Sequence, residues 1–176
     1  MKNYKFAVSI LKKHFADIKY GNPFGIIQSA EQLLKSKQGH CWDPTELARH
    51  LFNKEGIPCR TFFMDRAINN SRITKTHTFL VFESDGAVYW FENAWESHRG
   101  VHRYNSLQEL LADVPRKMKE DEKSKGNSVG KIRLREYDAP KLPLHHMEYF
   151  YHCLNGNPIS ITSKLPRPAI SRRGSR

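Results

Sequence analysis

Three residues of this chain have the types and positions needed for nucleophilic catalysis: Cys41, His77 and Glu92. Cys41 stands in the stretch KSKQGHCWDPTELARHLF, where an amphipathic helix begins directly after it. The free N–H groups and the dipole of a helix N-terminus favour negative charge, so a cysteine there is suited to react as a thiolate. The same N–H groups can receive an oxyanion. We therefore predict that Cys41 attacks a carbonyl carbon.

A thiol nucleophile needs a partner for proton transfer, and His77 stands at the opening of the apolar strand HTFLVF. Glu92 lies in the next strand, YWFENAW, beyond the Asp85-Gly86 turn of a predicted hairpin. Strand alternation puts Trp90 and Glu92 on one face, so Glu92 can accept the second ring N–H of His77. Asn93 is an alternative third member if the strand bulges.

Each residue of this predicted triad also has an ordinary structural interpretation. A cysteine beside a tryptophan can be a packing residue, a histidine at a strand start can be structural, and a glutamate among aromatics can be a strand-edge charge. The combination favours catalysis, because a cysteine at a helix start, a histidine at a strand start and an acid on the next strand all stand where the chemistry needs them.

The elements that must position these residues follow from hydrophobic periodicity and turn residues. Helices are predicted over residues 3–19, about 28–37, after Cys41 as far as Gly56, 106–118, and within 143–159. Strands are predicted over 57–64, 76–84, 87–95 and, as an edge strand, 132–138, with a solvated loop at 119–131. This pattern predicts an α+β fold in which the Cys41 helix packs on an antiparallel sheet, with flanking helices.

Length and charge restrict the class of protein. The 176 residues suit one domain, predicted over residues 1–160, followed by a basic, disordered tail at 161–176. The net charge is +11, and residues 164–176 supply five of these charges, so the remainder carries only +6. The tail could bind nucleic acid, but no nucleic-acid-binding motif accompanies it. No segment is apolar enough for a membrane span, and we expect a cytoplasmic location without membrane association.

The cysteine and histidine patterns predict neither a metal nor a cofactor. Cys41, Cys59 and Cys153 form no C-x-x-C pair, which argues against a structural zinc and a disulfide framework. Cys59 and Cys153 are predicted to be small buried hydrophobes. Reduced thiols suit the expected cytoplasmic location.

The motifs GHCWD and THTFLVFESDGAVYWFENAW resemble the transglutaminase-like superfamily, whose members are relatives of the papain-like cysteine proteases. The chain resembles the bacterial or phage members of this superfamily. The resemblance covers roughly residues 25 to 112. It assigns Cys41 and Trp42 to the family's Cys-Trp pair, His77 to its strand histidine, and Glu92 to the position of its acid, which is usually Asp. It implies a papain-like α+β core and acyl transfer on a protein or peptide substrate, as in a protease, an amidase or deamidase, or a transglutaminase.

Several finer assignments stay open at this stage. Trp42 and Asn93 are the candidates for substrate contact. Gln28, Gln32 and Gln38 are candidates for an oxyanion-hole side chain. Whether the acyl acceptor is water or an amine is not determined by the sequence. The alternative functions are a catalytically inactive domain of the same fold that binds a protein, and a basic protein associated with nucleic acid through its tail.

Overall fold

The structure, a computed structural model, describes residues 3–22, 24–69 and 74–160. The predicted basic tail at 161–176 lies outside these residues, and the single domain over residues 1–160 stays a prediction. The architecture is α+β, as the sequence predicts. None of the helices in these three ranges has both the length and the apolar character that a membrane crossing requires.

The helices have the following bounds: α1 Tyr4–Phe15, α2 Ala30–Ser36, α3 Trp42–Lys54, α4 Leu107–Ser124 and α5 His146–Leu154, with a 3-10 turn at Glu96–His98. The strands are β1 Lys19–Tyr20, β2 Ile26–Ile27, β3 Gln38–Gly39, β4 Cys59–Ala67, β5 Thr74–Ser84, β6 Ala87–Glu92, β7 Gly100–Tyr104, β8 Arg133–Glu136, β9 Leu144–His145 and β10 Asn157–Ile159. Six of the strands form one antiparallel sheet in the order β10-β8-β4-β5-β6-β7.

The predicted hairpin between β5 and β6 is present. Ser84 pairs with Ala87, and the two turn residues, Asp85 and Gly86, have φ angles of 50° and 72°. Positive φ at both central residues matches the primed turn that suits strand twist. The turn therefore sets the register in which the strand of His77 meets the strand of Glu92.

Helices cover both faces of the sheet. Strand alternation sends Leu80 and Phe82 of β5 into a core with α1 and α3, while Phe79 and Val81 enter a second core with α4. A third cluster, around Phe63 and α5, extends the first face toward β4. Apolar burial on both faces fixes α3 and α4 on opposite sides of one strand, β5.

Two sequence interpretations were wrong in this region. The helix predicted to end at residue 118 continues as α4 to Ser124, because Glu122, placed in the predicted loop, is buried and ion-paired to Arg66 of β4. The strand predicted at the sheet edge, β8, is interior: β10 pairs outside it, with Pro158 opposite Arg135. A proline is tolerated in an edge strand, where its missing N–H breaks no ladder.

Candidate active site

Cys41 is the N-cap residue of α3, at the helix start that the sequence predicts. Its carbonyl oxygen accepts hydrogen bonds from the hydroxyls of Thr45, at 2.8 Å, and of Thr78 in β5, at 3.0 Å. Its side chain makes no capping hydrogen bond. The backbone of the cysteine is thus fixed to the helix and to the sheet, while the sulfur is left for other contacts.

The turn before Cys41 is held by the carboxylate of Asp43, which is fully buried. Its Oδ1 accepts from the backbone N–H of Gln28 at 2.8 Å, and its Oδ2 accepts from the N–H of His40 at 2.9 Å and from Asn22 Nδ2 at 3.0 Å. Gly39 approaches so closely that a Cβ there would stand 2.7 Å from the Cβ of Asp43. One side chain therefore fastens three separate segments around the start of α3.

His77 and Glu92 lie in direct contact. His77 Nε2 is 2.7 Å from Glu92 Oε2, and both side chains are almost completely buried. The other oxygen of Glu92 accepts the backbone N–H groups of Ala94 and Trp95 at 2.8 and 2.9 Å. The turn after β6 therefore fixes the second oxygen of Glu92 while the first contacts His77.

The sulfur of Cys41 lies close enough to His77 to raise the pKa of the imidazole, and both residues line the same cleft. Since Glu92 takes Nε2, the ring nitrogen left for the sulfur is Nδ1. The carbonyl of Cys41 accepts from Thr78, and its sulfur lies near His77. Because Thr78 and His77 point to opposite faces of β5, the cysteine lies beside the edge of that strand. This edge is accessible because β6 pairs with β5 only from Leu80 onward.

The surroundings of His77 favour its protonated form. Burial lowers its pKa, but the negative charge of Glu92 and the hydrogen bonds with Cys41 and Glu92 outweigh burial and raise the pKa from 6.5 to about 10. Trp95 contacts the imidazole edge-to-face, with ring centroids 6.0 Å apart. The charged imidazole is thus held between the Glu92 carboxylate and the sulfur of Cys41.

Among the described residues, Cys59 lies beside Asn53 and Cys153 beside Tyr149, and neither lies beside a charged imidazole. Burial raises the pKa of the Cys59 thiol to about 11. Burial among the residues around α5 also raises the pKa of Cys153, which is fully buried. All three cysteines are free thiols, so these two serve as internal references for the reactivity of Cys41.

A cleft of about 420 Å³ opens at this site. It is lined by Cys41 and His77 together with Tyr20, Arg66, Lys75, Thr76, Ala94, Trp95, Met118, Asp121, Glu122 and Lys125. The structure therefore brings Cys41, His77 and Glu92 together, with the first two in the cleft wall and Glu92 behind His77. Trp42 and Asn93, the candidates for substrate contact, do not line this cleft: Trp42 stacks on Tyr149.

Sequence reasoning missed two aromatic residues of the cleft. Tyr20, which is 64 % exposed, reaches it because β1 pairs in parallel with β3 and places Tyr20 opposite Gly39. Partial desolvation and the neighbouring Cys41 raise the pKa of its phenol. Trp95 lines the cleft beside His77. The pairing of β1 with β3 has no local sequence signal, whereas Trp95 could have been suspected from its place just after Glu92.

Two of the three glutamines considered for an oxyanion hole are already engaged. Gln28 Nε2 donates to the carbonyl of Gln38, and its Oε1 accepts from the hydroxyl of Ser36. Gln32 accepts the N–H of Ser29 in the capping box of α2. Gln38 is exposed and does not line the cleft.

The model of the transglutaminase-like superfamily matches residues 1–100, a range that contains Cys41, His77 and Glu92. No curated protein matches the chain. Within the described residues, no group of three or more His, Cys, Asp and Glu side chains is arranged to hold a metal ion.

Proposed function

The chain belongs to the transglutaminase-like superfamily, and on that premise we propose that it catalyses acyl transfer at a carboxamide or peptide carbonyl. In this proposal Cys41 is the nucleophile, His77 transfers protons and Glu92 orients and charges the imidazole. The substrate is a protein or peptide. The observation that carries the proposal is the buried His77–Glu92 pair, 2.7 Å apart, beside Cys41 at the start of α3, with Cys41 and His77 lining one cleft.

The first half-reaction follows from the charges at the site. The thiolate of Cys41 attacks the carbonyl carbon and forms a C–S bond. The imidazolium of His77, whose pKa lies near 10, gives its proton to the departing nitrogen as the C–N bond breaks, so ammonia or an amine leaves and a thioester remains. Glu92 keeps the ring oriented and stabilises its charge during the approach of the substrate.

In the second half-reaction, the now neutral His77 removes a proton from water or from an incoming amine. The nucleophile attacks the thioester, and the thiolate of Cys41 leaves. Water gives hydrolysis or deamidation, and an amine gives a new amide bond. The same residues serve both outcomes, so the acceptor is decided by what reaches the cleft.

Backbone N–H groups at the start of α3 are the proposed oxyanion donors. The first N–H groups of a helix have no intrahelical acceptor. In α3 the N–H of Asp43 donates to the carbonyl of His40 at 3.2 Å, and Pro44 has no N–H. The N–H groups of Cys41 and Trp42 are therefore the ones proposed for the oxyanion. This assignment agrees with the engagement of Gln28 and Gln32 in other hydrogen bonds. The proposal also implies a reducing compartment such as the cytoplasm, because an oxidised sulfur cannot attack a carbonyl.

The proposal is tested with a peptide mixture and a primary amine. A tryptic digest of defined proteins is incubated with the full chain and a biotinylated amine, and mass spectrometry reads conversion of glutamine to glutamate, amine addition and new peptide termini. We expect one of these products in the wild type and in Cys59→Ala, and none in Cys41→Ala or His77→Ala. A product that persists in Cys41→Ala, or a wild type without any product, contradicts the proposal.

A further inference from the structure

The cleft wall beyond His77 is basic. Lys75 precedes His77 by two residues in β5 and so projects from the same face of the strand. Arg66 of β4 is the register partner of Lys75, and Met64 is the partner of His77. A two-residue step along a strand is about 7 Å, so the two cations begin about that far from the imidazole. All three charged groups line the same cleft.

These two cations share a single carboxylate. Glu122 Oε1 accepts from Arg66 Nη2 at 2.6 Å, and Glu122 Oε2 is 3.2 Å from Lys75 Nζ. The Arg66 side chain is 6 % exposed, whereas that of Lys75 is 50 % exposed. Nε and Nη1 of Arg66 are buried without an acceptor among the described residues. One positive charge is therefore left without a counter-charge in the cleft wall.

The other charges of the cleft do not neutralise this surplus. Lys125 and Asp121 form their own ion pair, at 2.7 Å, and cancel each other. Glu92 lies behind His77, does not line the cleft, and is bound to His77 and to two backbone N–H groups. The buried Arg66–Glu122 pair joins β4 to α4. The half-exposed ammonium of Lys75 adds charge on the solvent side of that pair.

We infer that the cleft selects substrates that carry a carboxylate close to the reacting amide. This carboxylate pairs with the ammonium of Lys75, on the solvent side of the Arg66–Glu122 pair. This inference rests on the proposed function and names the substrate class of the same site. The span from His77 to Lys75 corresponds to about two residues of extended peptide. The carboxylate is an acidic side chain next to the reacting residue or the free C-terminus of a short peptide.

Protection of Cys41 against alkylation tests this inference without requiring turnover. Site-resolved mass spectrometry follows the rate at which iodoacetamide labels Cys41 in the presence of blocked tripeptides with one glutamine. The neutral peptide is acetyl-Asn-Gln-Asn-amide. Two isosteric acidic peptides carry Asp in place of the first or the last Asn, and a fourth peptide keeps both Asn residues but has a free carboxyl terminus.

At low salt, at least one carboxylate-bearing peptide should halve the alkylation rate of Cys41 at a concentration about three- to tenfold lower than the neutral peptide requires. This factor is the expected effect of one carboxylate several ångströms from one ammonium group. Salt should remove most of this difference. Lys75→Gln, at a half-exposed site, should abolish the preference, and Glu122→Gln should enlarge it by freeing a second cation. Lys119→Gln, an exposed change on α4 outside the cleft, is the matched control and should leave it unchanged.

Equal effects of all four peptides, including no protection by any of them, would overturn the inference, as would a preference that survives Lys75→Gln. Which acidic peptide protects best identifies the source of the carboxylate. The outcome is separable from that of the proposed function. A protein that shows the charge preference but yields no acyl-transfer product loses the proposed function alone, whereas product formation without the preference removes only the inference.

Discussion

Replacing Glu92 by Gln tests how the buried carboxylate controls His77. The substitution keeps the shape of the side chain and removes its charge at a position 2.7 Å from the imidazole. It is expected to lower the pKa of His77, because burial, which opposes the charged ring, is then balanced only by Cys41. With less imidazolium beside it, the sulfur of Cys41 should react more slowly near neutral pH.

The size of the effect follows from the raised pKa. The increase from 6.5 to about 10 corresponds to roughly 5 kcal/mol between the two protonation states, and Glu92 supplies the largest favourable contribution. Loss of one adjacent charge should lower the pKa by about 2 units or more. The pKa of His77 is higher in the folded protein than in the unfolded chain, so protonation of His77 stabilises the fold. This stabilisation is fully present below pH 6.5 and is lost as the pH rises toward about 10.

The assay is an NMR titration of the imidazole ring with selectively labelled histidine, in which the His77 signal is the one missing from His77→Gln. Melting temperatures of the wild type and Glu92→Gln are measured over the same pH range and should converge as the pH approaches 10. Glu96→Gln, an exposed change four residues away, is the matched control. An unchanged His77 pKa in Glu92→Gln, or an equal shift in Glu96→Gln, would refute the reasoning.

Three further changes have definite expected results. Glu92→Asp should slow alkylation of the nucleophile, although Asp is usual in the family, because a shorter carboxylate cannot reach both the imidazole and the following turn; equal rates would contradict this. Gly39→Ala should cost about 1–3 kcal/mol in thermal unfolding, since its Cβ would press on Asp43, while Gly130→Ala, with ordinary contacts, should cost less. Burial raises the pKa of Glu122, but its hydrogen bonds and cationic partners lower it to about 2. The ionised carboxylate therefore stabilises the fold above pH 4.5, and this stabilisation is lost as the pH falls toward 2. In Glu122→Gln the melting temperature should depend less on pH over this range.

Local signals were sufficient to predict the parts of the site that lie inside regular elements. The helix after Cys41 has clear periodicity, and the Asp85-Gly86 turn fixes the register of the hairpin, so alternation alone placed Glu92 on the His77 side. The antiparallel sheet and the helix packed on it followed from the same reasoning. These features depend on neighbours in sequence, which is why they can be predicted without a structure.

The remaining features depend on contacts between distant segments. The length of α4 is decided by Glu122 meeting Arg66, 56 residues away, and nothing in its local sequence distinguishes that turn from a solvated loop. Tyr20 reaches the cleft only because β1 pairs with β3. The position of Lys75 near the site could have been predicted, since it shares a strand face with His77. That its charge is in excess could not be predicted, because this depends on Arg66 and Lys75 sharing the single carboxylate of Glu122.

The central claim is that Cys41 is a nucleophile activated by His77, and site-resolved alkylation tests it most directly. Iodoacetamide is applied near neutral pH to the full chain, with Cys59 and Cys153 as internal references. We expect Cys41 to react at least about a hundredfold faster than the other two and to slow by about tenfold or more in His77→Ala. Equal slow labelling of all three cysteines, or labelling of Cys41 that is indifferent to His77→Ala, would contradict the claim.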